Sequence, residues 1–195
     1  MTSLGSDAID VIFNVARTCR HFLERPVSEE LLRRVYDLAK MGPTTANCCP
    51  MRIVFLTTLA AKERLRPALR DSSRDATMAA PVTAIIAYDR EFYEHLPRLY
   101  PQGDARARYA GKSDLIQTTA FRNSSLQGAY FIIAARAIGL DCGPASGFDN
   151  AIVDAASFPG GKVKSNFLCN LGFGDRSKLH PRYPRLSFEE ACSII

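Results

Sequence analysis

The alternation of apolar and polar residues divides the chain into helix-like and strand-like segments. Between Asp7 and Ala16, the residues Ile9, Ile12, Phe13 and Ala16 recur at helical spacing. Leu31, Leu32, Val35, Leu38 and Ala39 repeat in the same way after Ser28. Ser28 has N-cap chemistry, and Glu29 and Glu30 sit where acids complement the helix dipole. Gly42 and Pro43 stop this helix. Arg52–Thr58 is a nearly continuous apolar run, the pattern of a strand buried on both faces. Val82–Tyr88 is a second apolar run of strand length, and Lys164–Gly172 reads as a third strand. Lys62–Arg70 has helical character interrupted by Pro67.

Ser113–Gly139 is strongly helical, as one piece or two, and its second part is apolar on most sides. A helix of that kind is a central one, and Gly139 suits its C′ position. Leu140–Phe148 is a short segment broken by Gly143, Pro144 and Gly147. Asp149 can cap a helix reaching Ala156, and Ser187 precedes a last helical stretch, Phe188–Ile195. From Asp89 to Lys112 periodicity is lost, and Pro97, Pro101, Gly103 and Gly111 mark a long loop. Such a loop inside a compact domain is a candidate lid. Strands mixed irregularly with helices predict an α+β architecture. Without repeat or linker, residues 1–195 read as one domain.

Composition narrows the classes. A chain of 195 residues can bury a sizeable core without staples. No apolar run approaches the roughly 18 residues needed to span a bilayer, and Met1–Asp7 lacks the pattern of a secretion signal. These features predict a cytoplasmic protein that does not enter membranes. Cys19, Cys48, Cys49, Cys142, Cys169 and Cys192 form no Cys-x-x-Cys pair and no zinc-like cluster with histidine. Reduced thiols and no metal are expected. The net charge is +5, but the arginines are scattered, so a nucleic-acid partner is not expected. Some of these arginines can instead face a small anion. No G-x-G-x-x-G follows a strand, which leaves a Rossmann nicotinamide site unsupported.

Four segments concentrate chemistry. Arg17-Thr18-Cys19-Arg20-His21-Phe22 places two guanidinium groups and a hydroxyl in one short stretch, a set suited to a phosphate ester. By spacing alone such a basic cluster is more often a solvated helix end. Gly42–Pro50 is rich in hydrogen-bonding side chains, which can bind a polar ligand or satisfy the loop's own backbone. Gly139–Phe148 sets glycines and prolines around small residues, so backbone N–H groups can approach a planar ligand. Arg182-Tyr183-Pro184-Arg185 is the fourth.

Taken together, these segments resemble the FMN-dependent nitroreductase family over essentially the whole chain. The carriers are the opening cluster, Pro43-Thr44-Thr45-Ala46-Asn47, Gly139-Leu140-Asp141 leading to Pro144-Ala145-Ser146-Gly147-Phe148, and Arg185-Leu186. Further stretches resemble its malonic semialdehyde reductase branch: Ala46–Cys48, Glu91–Glu94, Gly103–Arg106, Thr119–Ser125, Gly172–Asp175 and Ser177–Leu179.

The resemblance implies an α+β fold with a central mixed or antiparallel sheet flanked by helices. It implies a homodimer formed through the long central helix, with FMN at the interface. Arg17, Thr18 and Arg20 would hold the FMN phosphate and ribityl chain or the ring edge, and Arg185 would join them at the phosphate. Pro43, Thr44, Thr45 and Asn47 would come from the other subunit. Pro144, Ala145, Ser146 and Gly147 would line the isoalloxazine, with a backbone N–H directed at its N5. The implied activity is hydride transfer from NADPH or NADH, in alternating half-reactions, to malonic semialdehyde in pyrimidine degradation, giving 3-hydroxypropanoate. A nitroreductase or quinone reductase of the same fold is the alternative. A flavin-binding carrier without turnover is another.

Two departures from the family pattern stand out. Cys49-Pro50-Met51 replaces a common Gln-Pro-Trp, and Ser146 stands where many relatives have Glu. The second removes a negative charge beside the flavin, which suits an anionic aldehyde. Arg52, Arg106, Arg108 and Arg122 are candidates for the substrate carboxylate, because arginine matches its geometry.

Overall fold

The computed structural model describes residues 3–195, so Met1 and Thr2 of the opening Met1–Asp7 stretch lie outside it. Helix α1 (Ser6–Ile9) runs directly into a π-helical turn, Asp10–Asn14. Ile12 and Ala16 are buried, whereas Phe13, on the face expected to be apolar, is exposed. Helix α2 (Glu29–Ala39) begins as its sequence predicts, with the Ser28 hydroxyl accepting the Leu31 amide at 3.2 Å. Leu32, Val35 and Ala39 form its buried face.

Strand β1 (Met51–Leu56) follows, then α3 (Leu59–Glu63), a 3₁₀ turn at Arg66–Ala68, and α4 (Asp71–Ala79). The single helix expected over 62–70 is therefore two short pieces, with Pro67 at the start of the second. Strand β2 (Val82–Asp89) is buried throughout. A short helix α5 (Leu96–Leu99) precedes the long α6 (Ser113–Ala137). The remaining elements are β3 (Asp141–Ala145), α7 (Asn150–Ser157), β4 (Val163–Gly172) and α8 (Phe188–Ala191). Asp149 caps α7 through its carboxylate, which accepts the amides of Ala151 and Ile152. The C-terminal helix stops at Ala191, short of the expected Ile195.

Among the described residues the sheet has four strands in the order β1-β2-β4-β3, and every pairing is antiparallel. The four strands pair only antiparallel, and a parallel bridge joins β3 from outside them, between Thr18 and Cys142. The fold is α+β. Strand β1 is an edge, and its middle four residues are only half buried; an apolar run predicts burial on both faces only for strands flanked by others, as β2 is. One face of the sheet carries α2 and α6, packed through Val35, Ala84, Ile86 and Phe131. The other carries the α3–Ala68 segment and α7, packed through Leu65, Ile85, Val153 and Leu168. The Asp89–Lys112 stretch is not a bare loop. Phe92, Leu96, Ala105 and Tyr109 form a small core with Cys48, Tyr88, Ile116 and Ala120.

Helix α6 is about 38 Å long at the usual rise per residue. Its buried face is partly polar: Asn123, Ser124 and Gln127 are all buried. Each is bonded, Asn123 Oδ1 accepting the Thr45 amide at 2.8 Å, Ser124 donating to the Ala87 carbonyl at 3.0 Å, and Gln127 Oε1 accepting the Met51 amide at 3.0 Å. Around its outer half Leu115, Phe121, Leu126 and Tyr130 are each more than 40% exposed, interspersed with the exposed Thr118 and Arg122. No helix among the described residues is long and apolar enough to cross a membrane.

Candidate functional site

The opening cluster is positioned by the end of the first helix and by the edge of the sheet. The Arg17 Nη1 donates to the carbonyls of Asn14, Val15 and Ala16 at 2.9, 3.1 and 2.9 Å. Arg182 reaches back from the C-terminal tail, its Nη2 donating to the carbonyls of Phe13, Asn14 and Ala16 at 2.7, 2.8 and 2.9 Å. Both guanidinium groups therefore sit on the partially negative end of the π turn, where cations are favoured. Beyond it, Thr18 bridges Cys142 in parallel and the Cys19 amide donates to the Cys142 carbonyl at 2.8 Å. This lays the segment Arg17–Arg20 along β3.

A cleft of about 770 Å³ opens there. Arg17, Arg20, Arg136, Arg182 and Arg185 line it, with Thr18 and Pro144, and no carboxylate side chain faces it. The ion-paired arginines of the described residues are elsewhere, at Arg33, Arg52, Arg66, Arg74, Arg106 and Arg176. Desolvation, and then repulsion from Arg17, Arg185 and Arg136, hold the Arg182 guanidinium below its ordinary pKa. The Arg136 Nε is buried with no partner among the described residues. Positive charge is thus concentrated and unneutralised, a fit for a phosphomonoester carrying roughly two negative charges.

A smaller cleft of about 190 Å³ shares Thr18, Arg20 and Pro144 with the first. Its other walls are small: Ser72, Ser73, Gly143, Ala145, Ser146 and Gly147. Gly147 gives its carbonyl to the Arg70 amide at 3.3 Å. The amides of Ser146 and Gly147 meet no acceptor among the described residues. A flat polar ligand can approach backbone donors here without side chains in the way.

Eight of the residues expected at the site are brought together by these two adjoining clefts: Arg17, Thr18, Arg20, Pro144, Ala145, Ser146, Gly147 and Arg185. Pro43, Thr44, Thr45 and Asn47 line neither. Their loop is a tight turn with left-handed backbone at Ala46 (φ 48°), Asn47 (φ 50°) and Cys49 (φ 40°), a conformation non-glycine residues seldom adopt. The Thr44 hydroxyl accepts the Cys49 amide at 3.2 Å, and Asn47 Nδ2 donates to the Leu99 carbonyl at 2.9 Å. Both side chains satisfy backbone within the single chain. Of the four arginines considered for a substrate carboxylate, Arg52 pairs with Asp89 and Arg106 with Glu94. Arg108 and Arg122 form no ion pair among the described residues.

Sequence reasoning missed Arg136, Ser72 and Ser73, and singled out Arg182 only as part of a segment. Arg136 did leave a trace, as the one charged residue between Leu126 and Leu140. Ser72 and Ser73 left none, because α4 has no apolar periodicity.

The profile of the nitroreductase family matches residues 15–158. The chain belongs to the nitroreductase family. Solved structures agree in fold. A Bacillus subtilis protein assigned as a nitroreductase superposes with a TM-score of 0.86 at 18% identity, over 98% of this chain and 100% of that one. An Exiguobacterium sibiricum protein assigned as a nitroreductase, solved in complex with FMN, gives 0.85 at 15% identity over 100% of both chains. A Staphylococcus epidermidis protein assigned as an NAD(P)H:FMN oxidoreductase gives 0.85 at 18% identity, over 100% of this chain and 98% of that one. The family match begins at Val15, so it takes in the Arg17–Arg20 cluster of this nitroreductase-family chain.

Proposed function

We propose that the protein is an FMN-dependent NAD(P)H oxidoreductase that acts as a homodimer and reduces malonic semialdehyde to 3-hydroxypropanoate in pyrimidine degradation. One observation carries the reading: five arginines with no facing carboxylate converge on a cleft that continues into a cradle of small residues. A phosphate at one end and a planar ring at the other have that distribution of charge and shape. FMN would supply the hydride chemistry, passing two electrons from NADPH or NADH to the acceptor in alternating half-reactions. Arg17 and Arg185 would hold its phosphate and Thr18 the adjoining chain. Arg20, which lines both clefts, would face the ring edge, where a cation stabilises the negative charge that reduction builds. Ser146 and Gly147 would offer their unpaired amides, and Pro144 and Ala145 would flank the ring.

A second copy of the chain would complete the site. The Pro43–Asn47 loop is tied to Asn123 in the middle of α6, whereas Arg136 lies at that helix's C-terminal end. The two are roughly 20 Å apart along the axis. Antiparallel packing of two α6 helices across a twofold axis would bring Pro43, Thr44, Thr45 and Asn47 of one copy toward the arginine cleft of the other. The exposed Leu115 and Leu126, eleven residues apart on one side of α6, support that face.

The acceptor follows from charge. Ser146 leaves the cradle without an acid; Arg108 and Arg122, without ion pairs among the described residues, line neither cleft. The competing acceptors are nitroaromatics, which the family description favours, and quinones. Anaerobic stopped-flow absorbance decides. The flavin-loaded protein is mixed with NADPH or NADH and then with malonic semialdehyde or a nitroaromatic. Bleaching of the flavin band followed by fast recovery with the semialdehyde is expected. Recovery with the nitroaromatic alone would give the site to the second reading. Bound flavin that neither nucleotide bleaches would make the protein a carrier.

A further inference from the structure

Arg70 stands at the rim of the ring cradle. Its amide donates to the Gly147 carbonyl at 3.3 Å, Leu69 bridges Phe148 in antiparallel, and the Asp149 amide donates to the Ala68 carbonyl at 2.9 Å. This short ladder fixes 68–70 against 147–149. Gly147 has no side chain to intervene, and a Cβ there would stand 3.4 Å from Arg70 Cδ. The stem of Arg70 therefore leans on the residue whose amide is free at the cradle.

Local structure does not account for an arginine at this position. Arg70 is the N-cap of α4, and its side chain caps nothing. N-caps favour short oxygen-bearing side chains, and the start of a helix repels a cation. The residue is exposed, and its guanidinium makes neither an ion pair nor a hydrogen bond among the described residues. The neighbouring acid, Asp71, pairs with Arg74 at 2.7 Å instead. A bound anion would offset the repulsion and give the guanidinium its partner.

We propose that Arg70 binds the carboxylate of an anionic acceptor and so selects short aldehyde acids over neutral ones. This rests on the flavin and acceptor reading given above. In malonic semialdehyde a single methylene separates the carboxylate from the carbonyl. The cation that reads it must stand beside the amides offered to the flavin, as Arg70 does at Gly147. Arg20, which lines this cleft, serves the ring edge. Arg52 and Arg106 are held by Asp89 and Glu94.

The test uses the full chain loaded with FMN, as wild type, Arg70→Met and Arg70→Lys. The side chain is exposed and has no partner among the described residues, so both variants keep the fold. Each protein is titrated with 3-hydroxypropanoate and with its neutral amide, and binding is read from the change in the oxidised-flavin spectrum. Loss of a charge-assisted pair predicts binding of the acid weakened on the order of ten- to a hundredfold in Arg70→Met, with the amide nearly unchanged. Arg70→Lys keeps the charge without the planar paired donors, so it recovers part of the affinity. Equal losses for acid and amide, or no loss for the acid, would overturn the proposal. So would flavin-loaded wild type that does not prefer the acid. Protein that binds the acid through Arg70 but does not turn over malonic semialdehyde would keep this subsite and change the acceptor. Protein that takes up no FMN would overturn the flavin reading and the subsite with it, before any variant is compared.

Discussion

Gly143 of β3 faces the Cys19 carbonyl oxygen so closely that a Cβ at this position would overlap it. The contact exists because Thr18 bridges Cys142 and the Cys19 amide bonds the Cys142 carbonyl. Backbone presses on backbone, so neither side can yield by rotating a side chain. Gly143→Ala should push the Arg17–Arg20 segment off the sheet edge. We expect a stability loss of about 1–3 kcal/mol in urea unfolding together with weaker FMN retention. Unfolding at the wild-type midpoint would mean the segment is held some other way.

The outward face of α6 should pair two copies of the chain. Leu126 is 47% exposed on that face, and a carboxylate there would be buried unpaired in a helix–helix seam. Leu126→Glu is expected to sediment as a monomer and to lose flavin, since Pro43–Asn47 would no longer reach the partner's cleft. A Leu126→Glu protein that remains dimeric would move the interface to another surface.

Ser146 is expected to set the preference for an anionic acceptor. Ser146→Glu adds a negative charge beside the ring cradle, which repels a carboxylate and leaves a neutral molecule alone. Steady-state kinetics should show KM for malonic semialdehyde rising about tenfold, with KM for a neutral quinone unchanged. Unchanged semialdehyde kinetics would count against the charge argument.

The buried thiols predict an alkaline limit to stability. Burial pushes the Cys48 thiol from its ordinary 9.0 up to about 12, and Cys169 is also raised, first by its bond with Cys142 and then by burial. A raised folded-state pKa means that the folded chain holds these protons more tightly. Their stabilisation is fully present below pH 9.0 and is lost as pH rises toward about 12. Thermal melts should therefore fall steeply over that window, and less steeply in Cys48→Ala. At neutral pH an alkylating reagent should label the exposed Cys192 and spare Cys48.

Features with local causes could be read directly from the chain. Ser28 and Asp149 were recognisable as caps because capping depends on one side chain and the amides just after it. The α2 stripe and the β2 run were legible for the same reason. Helix α4 was not, because Asp71–Ala79 is mostly polar and buries only Thr77. It is held from outside: Lys62 Nζ, itself buried, donates to the Met78 and Ala80 carbonyls at the helix end, at 2.7 and 2.6 Å. Strand β3 was hidden by Pro144, which a strand tolerates only at a sheet edge, and edge position is a property of the whole sheet. The aromatics of 89–112 looked aperiodic because their partners, Cys48 and Ile116, come from other segments.

By itself the sequence determined the secondary elements with strong periodicity and the α+β class, which follow from spacings of 3.6 and 2 and from local donor and acceptor chemistry; eight of the residues now found around the two clefts came from the family resemblance of its motifs. Only the tertiary structure decided which side of α6 faces outward, because a helix that buries Asn123, Ser124 and Gln127 with Phe131 against β1, β2 and the Thr45 loop must show Leu115 and Leu126 to the other side. It alone also brought Arg136 and Arg182 to the cleft of Arg17. Convergence of charges from three distant parts of the chain depends on long-range packing, which no local pattern encodes.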